Sequence, residues 1–416
     1  MMHQRDRFVW RFGLASALFV VAVVSGCVQI TPTPEPVTIS MVATEGQQLY
    51  FESLLPAFQK ENRHITVEFV RSQQFGFADA DVFAIVPFAW RFMREEVDVL
   101  DLAPYITVDE KFNRDDFYPD TLDLFTVDLE EEGQTKLWAV PYALDMMVMY
   151  YDRALLDRYG VAYPQAEWTW DDFFQTTKAM YDPDAGIYGY APDFELNDAL
   201  AAIYQNGGTI FDDMLKPTRT TFDAPKTIEA LDWYAKLMYE FNAVPTPQQA
   251  RAAYGIGGYV QLGLERGRLG MWTGMFSEQG RWFQKDDWTI DWGMAPLPKG
   301  VQSATLGYVT GYAISTEAEY PDACWAWVSF LTRQIPQDGV PVRRSLLESK
   351  DLEDQLGKDV AATAHISAEH IVFMSPQLYD LYDALRLYQQ AVDSIINGRA
   401  TAQEAMTLAQ RESKYK

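Results

Sequence analysis

Two kinds of side chain recur along this chain where they could meet a ligand: carboxylates and amides near apolar runs, and aromatic rings near the ends of predicted strands. Asp145 is the sharpest case. It lies four residues after Pro141 and directly ahead of the apolar run Met146 to Tyr151. A charge there is costly unless it caps a helix, pairs inside the fold or serves a ligand. Glu45 follows the first predicted strand, and Glu195 and Asn197 lie upstream of the turn Asn206-Gly207-Gly208. Such groups, set beside Trp and Tyr faces in a concave site, suit a ligand with apolar C–H faces and a rim of hydroxyls. The same residue types would serve an exported glycoside hydrolase, which needs two carboxylates across a scissile bond, but no acid pair stands out. Metal chemistry has little to work with. Beyond the first 26 residues only His64, His365 and His370 remain, and the last two are five residues apart, a poor spacing on a helix face. No Walker lysine, G-x-S-x-G elbow or G-x-G-x-x-G fingerprint is present.

The elements that must position these groups read as α/β. Val37 to Val42 is a predicted strand, Thr44 to Gln48 a turn, Leu49 to Glu61 a helix with apolar residues at Leu54, Leu55 and Phe58, and Ile65 to Val70 the next strand. This βαβ opening implies a parallel sheet, and ligands in such sheets sit outside the carboxyl ends of strands, which is where Glu45 falls. Further on, Leu137, Trp138 and Val140 begin a strand that breaks at Pro141 and restarts as the run Met146 to Tyr151. A proline between two buried strands suggests a chain leaving one sheet for a second. Asp152 is the expected cap of the helix that follows, Thr169 or Asp171 of the next, and Asp223 of the helix through Ile228, Leu231 and Leu237.

In order and spacing these pieces resemble the bacterial extracellular solute-binding proteins of family 1, the maltose-binding-protein-like sugar receptors of ABC importers. The segments that carry the resemblance are Trp138-Ala139-Val140-Pro141-Tyr142, Tyr150-Tyr151-Asp152-Arg153, Trp168-Thr169-Trp170-Asp171-Asp172-Phe173, Asn206-Gly207-Gly208 and Trp292-Gly293-Met294-Ala295-Pro296-Leu297-Pro298. Leu306-Gly307-Tyr308 through Ser315 and Val340-Pro341-Val342-Arg343-Arg344-Ser345 extend it, so that it covers about residues 37 to 413 with a gap near 335–365. The resemblance implies a two-lobed periplasmic-binding-protein fold of type II, each lobe a sheet flanked by helices, with the ligand cleft between them. It implies one lobe from 37–142 with about 309–350 and another from about 143–308 with 355–416. It places Glu45, Tyr142, Asp145, Glu195, Asn197, Trp272, Phe276, Tyr308, Arg343 and Tyr382 at ligand-contacting positions, Tyr382 being open to a helix-packing role as well. Ile85 stands where the family has a stacking tryptophan; Trp90 is the ring that could take over, or it packs. Phe276 replaces a second family tryptophan. The implied function is capture of a carbohydrate, an oligosaccharide, by hinge closure and its delivery to membrane permease subunits, without catalysis and without a cofactor. A receptor for a polyamine, peptide or glycerol phosphodiester is the alternative.

The formal charge is −25, and removing a leader with three arginines and one aspartate leaves −27. That balance disfavours nucleic acid and anionic lipid heads, whose binding depends on basic neutralisation. Arg5, Arg7 and Arg11 precede the short apolar stretch Leu14 to Val24, and Val24-Ser25-Gly26-Cys27 matches a lipobox. Residues 1–26 therefore read as a lipoprotein signal peptide, Cys27 as the lipidated residue, and 27–36, with three prolines, as an extended tether. The expected product is an exported monomer, lipid-anchored to the outer face of the cell membrane or the periplasmic side of an envelope membrane. Cys324, left without a partner, is expected to be buried as a small hydrophobe.

Overall fold

Strand β1 (Val37–Val42) alternates as its sequence demands, with Ile39 and Met41 turned into the core. Thr44 then caps the helix Glu45–Glu61: its hydroxyl accepts from Gln47 N–H at 3.3 Å, and Gln47 Oε1 accepts from Thr44 N–H at 3.1 Å. This reciprocal box satisfies two of the donors a helix start leaves open, so the helix begins at Glu45, where the sequence had suggested a turn. Strand β2 (Ile65–Val70) runs parallel to β1, Val37 opposite Ile65, and β3 (Val82–Ile85) flanks β1 on its other side, completing the parallel opening. The structure, a computed structural model, describes residues 34–71, 80–87, 98–129, 133–192, 196–254, 263–279, 281–282, 286–374, 378 and 381–415.

The later strands are β4 (Thr126–Asp128), β5 (Thr135–Leu137), β6 (Val140–Asp152), β7 (Tyr188–Tyr190), β8 (Leu269–Met275), β9 (Arg281–Trp282) and β10 (Asp286–Asp287). They are followed by β11 (Trp292–Ala295), β12 (Thr305–Ile314), β13 (Val340–Pro341) and β14 (Ile371–Phe373). The main sheet runs β2-β1-β3-β12-β6-β8-β7, with β11 and β13 also on β6 and β14 on β12.

Pro141 does not break the central strand. It is the second residue of β6, which continues unbroken to Asp152. A proline cannot donate to the ladder, and the sheet accommodates it with a bulge. Thr310 pairs with Ala143 and Gly311 with Pro141, so Tyr142 is the extra residue between them. Strand β6 is instead the place where neighbours change. On one edge β13 pairs with Ala143 and Leu144, then β8 takes over from Met147. On the other, β12 pairs as far as Met146, and β11 takes over from Met149. Its side chains also sort by parity. Leu144, Met146, Val148 and Tyr150 join one apolar cluster, which includes Phe51, Phe58 and Trp327; Met147, Met149 and Tyr151 join another, built on Phe173, Ile203, Leu231 and Val392.

The caps follow local chemistry. Asp152 accepts from Leu155 N–H at 3.2 Å, and Gly160 ends that helix in the left-handed region at φ 65°. Thr169, rather than Asp171, caps the helix Trp170–Ala179. Asp223 is not a cap: Ala224 takes that place, with Pro225 as the first helical residue, where its missing N–H costs nothing. Cys324 is fully buried, and burial pushes its thiol up to about 12. Among the described residues no helix is long and apolar enough to cross a membrane.

Candidate functional site

Asp145 sits at the gap on the β6 edge where β13 has ended and β8 has not begun. One segment, the turn that follows β8, closes on its carboxylate. Ser277, two residues beyond that strand, donates its N–H to Oδ1 at 3.0 Å and its hydroxyl to Oδ2 at 2.6 Å. Met146 N–H also reaches Oδ1 at 3.0 Å. Burial raises the Asp145 pKa, the Ser277 and Met146 donors pull it down, and the charge of Asp338 pushes it up again. From the other side, Gly339 packs against Leu144: a Cβ there would lie 2.2 Å from the Leu144 carbonyl oxygen, and its φ is +77°.

Three tyrosines stand nearby on β6 and β12. Tyr308 is directly opposite Asp145 on β12 and is 37% exposed in a strand otherwise buried except at the half-buried Thr310. Tyr142, the bulge residue, stacks on Tyr312 with ring centres 4.1 Å apart and planes at 18°. Burial pushes the Tyr142 phenol up to about 12, with Asp338 adding to the rise. Tyr50, half-buried on the first helix, donates its hydroxyl to Ile335 O at 2.7 Å. A carboxylate held by fixed donors beside tyrosine faces can accept hydrogen bonds from hydroxyls while the rings meet C–H surfaces.

The other expected contacts scatter. Glu45 is exposed on the first turn of its helix, 3.9 Å from Arg71. Asn197 is half-buried on the first turn of the helix Leu196–Gln205, and Tyr382, 62% exposed, begins the helix Tyr382–Ile396. Trp90, Glu195 and Cys27 lie outside the described residues. Three of the expected contacts are buried. Trp272, 1% exposed, stacks on Tyr150 at 5.7 Å and meets Trp288 edge-on at 5.1 Å, so it has no free face. Phe276 is wholly buried. Arg343, 3% exposed, is committed inside the fold: it donates to Thr332 O at 2.9 Å and Asn113 O at 3.1 Å, reaches Asp116 at 3.4 Å, and lies over Phe117 and Phe112. Its charge satisfies carbonyls and a carboxylate of its own chain.

Sequence reasoning did not single out Ser277 or Asp338. The signal for Ser277 was its place just past a strand end, beside Phe276; Asp338 had its place next to Gly339, ahead of the strand Val340–Pro341.

A concavity is lined by the stacked pair Trp170 and Trp233, whose ring centres are 3.8 Å apart. At its floor Asp198 accepts from Tyr190 OH at 3.0 Å and Thr273 OH at 2.6 Å. Its volume of about 40 Å³ suits a few waters. Ligand pockets run to several hundred Å³, so it is too small for a sugar ring. Among the described residues no group of three or more His, Cys, Asp or Glu could hold a metal ion.

Comparison with known proteins gives the fold its setting. Residues 43–337 match the family described as bacterial extracellular solute-binding protein. The ABC substrate-binding protein of Listeria monocytogenes, solved with cycloalternan, superposes with a TM-score of 0.67 at 20% identity, over 91% of this chain and 98% of that one. The cyclic α-maltosyl-1,6-maltose binding protein of Arthrobacter globiformis gives 0.70 at 15% identity, over 90% and 97%. Maltose-bound MalE3 of T. maritima gives 0.62 at 18%, over 91% and 99%. At these identities the likeness is one of fold.

Proposed function

We propose, on the premise that this chain belongs to the bacterial extracellular solute-binding protein family, that it captures an oligosaccharide for an ABC importer and hands it to the membrane permease. Its fold is that of the sugar-binding ABC substrate-binding proteins, α/β and of type II, and the members of that family bind solutes rather than transform them. The observation that carries the sugar reading is the pairing of Asp145 with Tyr308 across β6 and β12, beside the stacked Tyr142 and Tyr312. It supplies hydroxyl acceptors and ring faces together, at the strand position where neighbours change. Glu45, Asn197 and Tyr382, with Trp90 and Glu195, supply outer contacts in this reading; Trp272, Phe276 and Arg343 have structural roles instead.

Residues 37–142 with about 309–350 form one lobe and about 143–308 with 355–416 the other. A ligand favours the closed state only through contacts it makes to both, and hinge closure of this kind is the established behaviour of periplasmic binding proteins. Cys27 carries the lipid, and the tether through residue 36 holds a monomer off the outer face of the membrane. A cationic solute such as a polyamine is the second reading, favoured by the mutual influence of Asp145 and Asp338.

The test is thermal unfolding of the full-length protein in a detergent without a sugar head group. The panel holds mono- and oligosaccharides, polyamines, peptides and glycerol phosphodiesters. A ligand at a hundredfold its dissociation constant adds about 2.7 kcal/mol. One saccharide class raising the midpoint by a few degrees, and recovered unchanged, is the expected result. A shift with polyamine alone would move the protein to the second reading, and recovery of cleaved sugar would contradict a receptor that does no covalent chemistry.

A further inference from the structure

The receptor reading makes Asp145 a ligand contact; what keeps it fit for that role is a separate question with an answer in the fold. A carboxylate in this position faces two hazards. It can rotate about its last bond and present the wrong lone pairs, or it can take up a proton and become a donor where an acceptor is needed. The groups around it work in the second direction. Burial disfavours the charge, and Asp338, on the segment ahead of β13, adds a like charge. From β12 the facing group is the Tyr308 phenol; on the turn after β8, Glu278 turns its carboxylate to Met275 N–H at 3.0 Å. Tyr150, two turns of pleat further along β6, is held by its own bonds to Met275 O at 2.8 Å and Gln279 N–H at 3.0 Å. None of these named neighbours is a cation.

The opposing influence comes from Ser277. A backbone N–H can only donate, so the Ser277 and Met146 amides fix Oδ1 as an acceptor. The Ser277 hydroxyl, at 2.6 Å, is in the range of charge-assisted O–H···O⁻ bonds and occupies the other oxygen. Two donors from one residue on two different oxygens set the plane of the carboxylate. Ser277 itself is placed by the strand: β8 pairs with β6 from Met147 to Tyr151, and the chain turns back over Asp145 directly after Met275.

We propose that Ser277 is the positioning residue of this site: by its N–H on one oxygen and its hydroxyl on the other, it holds Asp145 as an aimed, ionised acceptor for the ligand's hydroxyls. The inference rests on the receptor reading and adds to it a residue that touches Asp145 rather than the ligand.

The experiment is calorimetric titration of the full-length protein with the saccharide that gives the largest thermal shift, between pH 4 and pH 8, for wild type, S277A, S277T, D145N and D338N. Removing the hydroxyl deletes a donor that favours the charged form, so S277A loses roughly tenfold in affinity at neutral pH. Its loss of affinity on acidification also sets in at higher pH than in wild type. S277T, which keeps the hydroxyl, restores both. D145N binds weakly with a flat profile, and D338N, relieved of the like charge, shifts the profile to lower pH. The profile is the discriminating readout, because a merely structural serine would weaken binding equally at every pH. An S277A profile with unchanged midpoint overturns the inference, as does S277A affinity within twofold of wild type. Full affinity in D145N overturns it while leaving the receptor reading intact. Absence of any saccharide binding by wild type overturns the receptor reading, and the inference with it.

Discussion

At the scale of single residues, Asp145 carries a cost that its surroundings only partly offset. Its folded pKa lies above the ordinary carboxylate value, first because of burial, with the Ser277 bonds acting against the rise. For a raised carboxylate the penalty is absent below the unfolded value, where both states are protonated, grows as pH climbs from there to the folded value, and is complete above it. Replacing the charge should therefore help the ligand-free protein. D145N is expected to gain about 0.5–2 kcal/mol at pH 7.5, the size of a typical stabilising substitution, with the gain shrinking towards pH 4. Urea unfolding at the two pH values checks this; a less stable D145N at pH 7.5 would mean the Ser277 bonds outweigh burial. Arg343 shows the opposite economy. Its guanidinium is buried with its partners beside it, in the fork geometry that arginine alone provides. The sequence placed Arg343, Trp272 and Phe276 near the ligand because a motif fixes where a residue stands along the chain. Which way a side chain faces is decided by the packing of Phe112, Phe117 and Trp288, which come from other segments.

At the scale of elements, much was legible. β1 and β2 came out at their expected bounds because alternation and β-branched content agree there, and Asp152 and Thr169 cap as their positions suggested. Thr44 was misread as part of a turn because Gln47, its reciprocal partner in the box, is a weaker sign than a glutamate would be. Pro141 was misread because a lone proline in an apolar run cannot reveal a bulge on the opposite strand. Ser277 was invisible for a related reason: its partner lies far away in sequence and is reached only when β8 and β6 pair. The tightest joint in this region is Gly339 against the Leu144 carbonyl. Its positive φ and the missing Cβ are both needed, so G339A should cost about 2 kcal/mol or more and displace β13 from β6. Denaturant unfolding gives the first quantity and saccharide affinity reports the second. A variant within 0.5 kcal/mol of wild type (about the size of an ordinary surface change) would show that this joint is soft.

At the scale of the whole molecule, β6 is shared property: its even residues serve one core and its odd residues the other. The two apolar clusters therefore share one continuous strand, and the bulge at Tyr142 marks the local irregularity in that strand. If hinge closure accompanies binding, small-angle scattering of the full-length protein with saturating saccharide should give a smaller radius of gyration than without it. G339A, by loosening the joint, should blunt the change. An unchanged radius at saturation would separate binding from closure.

The pairing of β6 with β12 also has a consequence in time. Residues 140–146 lack one of their neighbours until residues 307–312 have been made. Contacts so far apart in sequence form late and slowly. The ribosome thus releases most of this chain before its central strand can pair with β12. For a cytosolic protein such a delay invites aggregation. For a receptor exported as proposed above, and threaded through a membrane as an open polypeptide, the delay is an advantage: the late strand acts as a clasp that cannot fasten before the journey has begun.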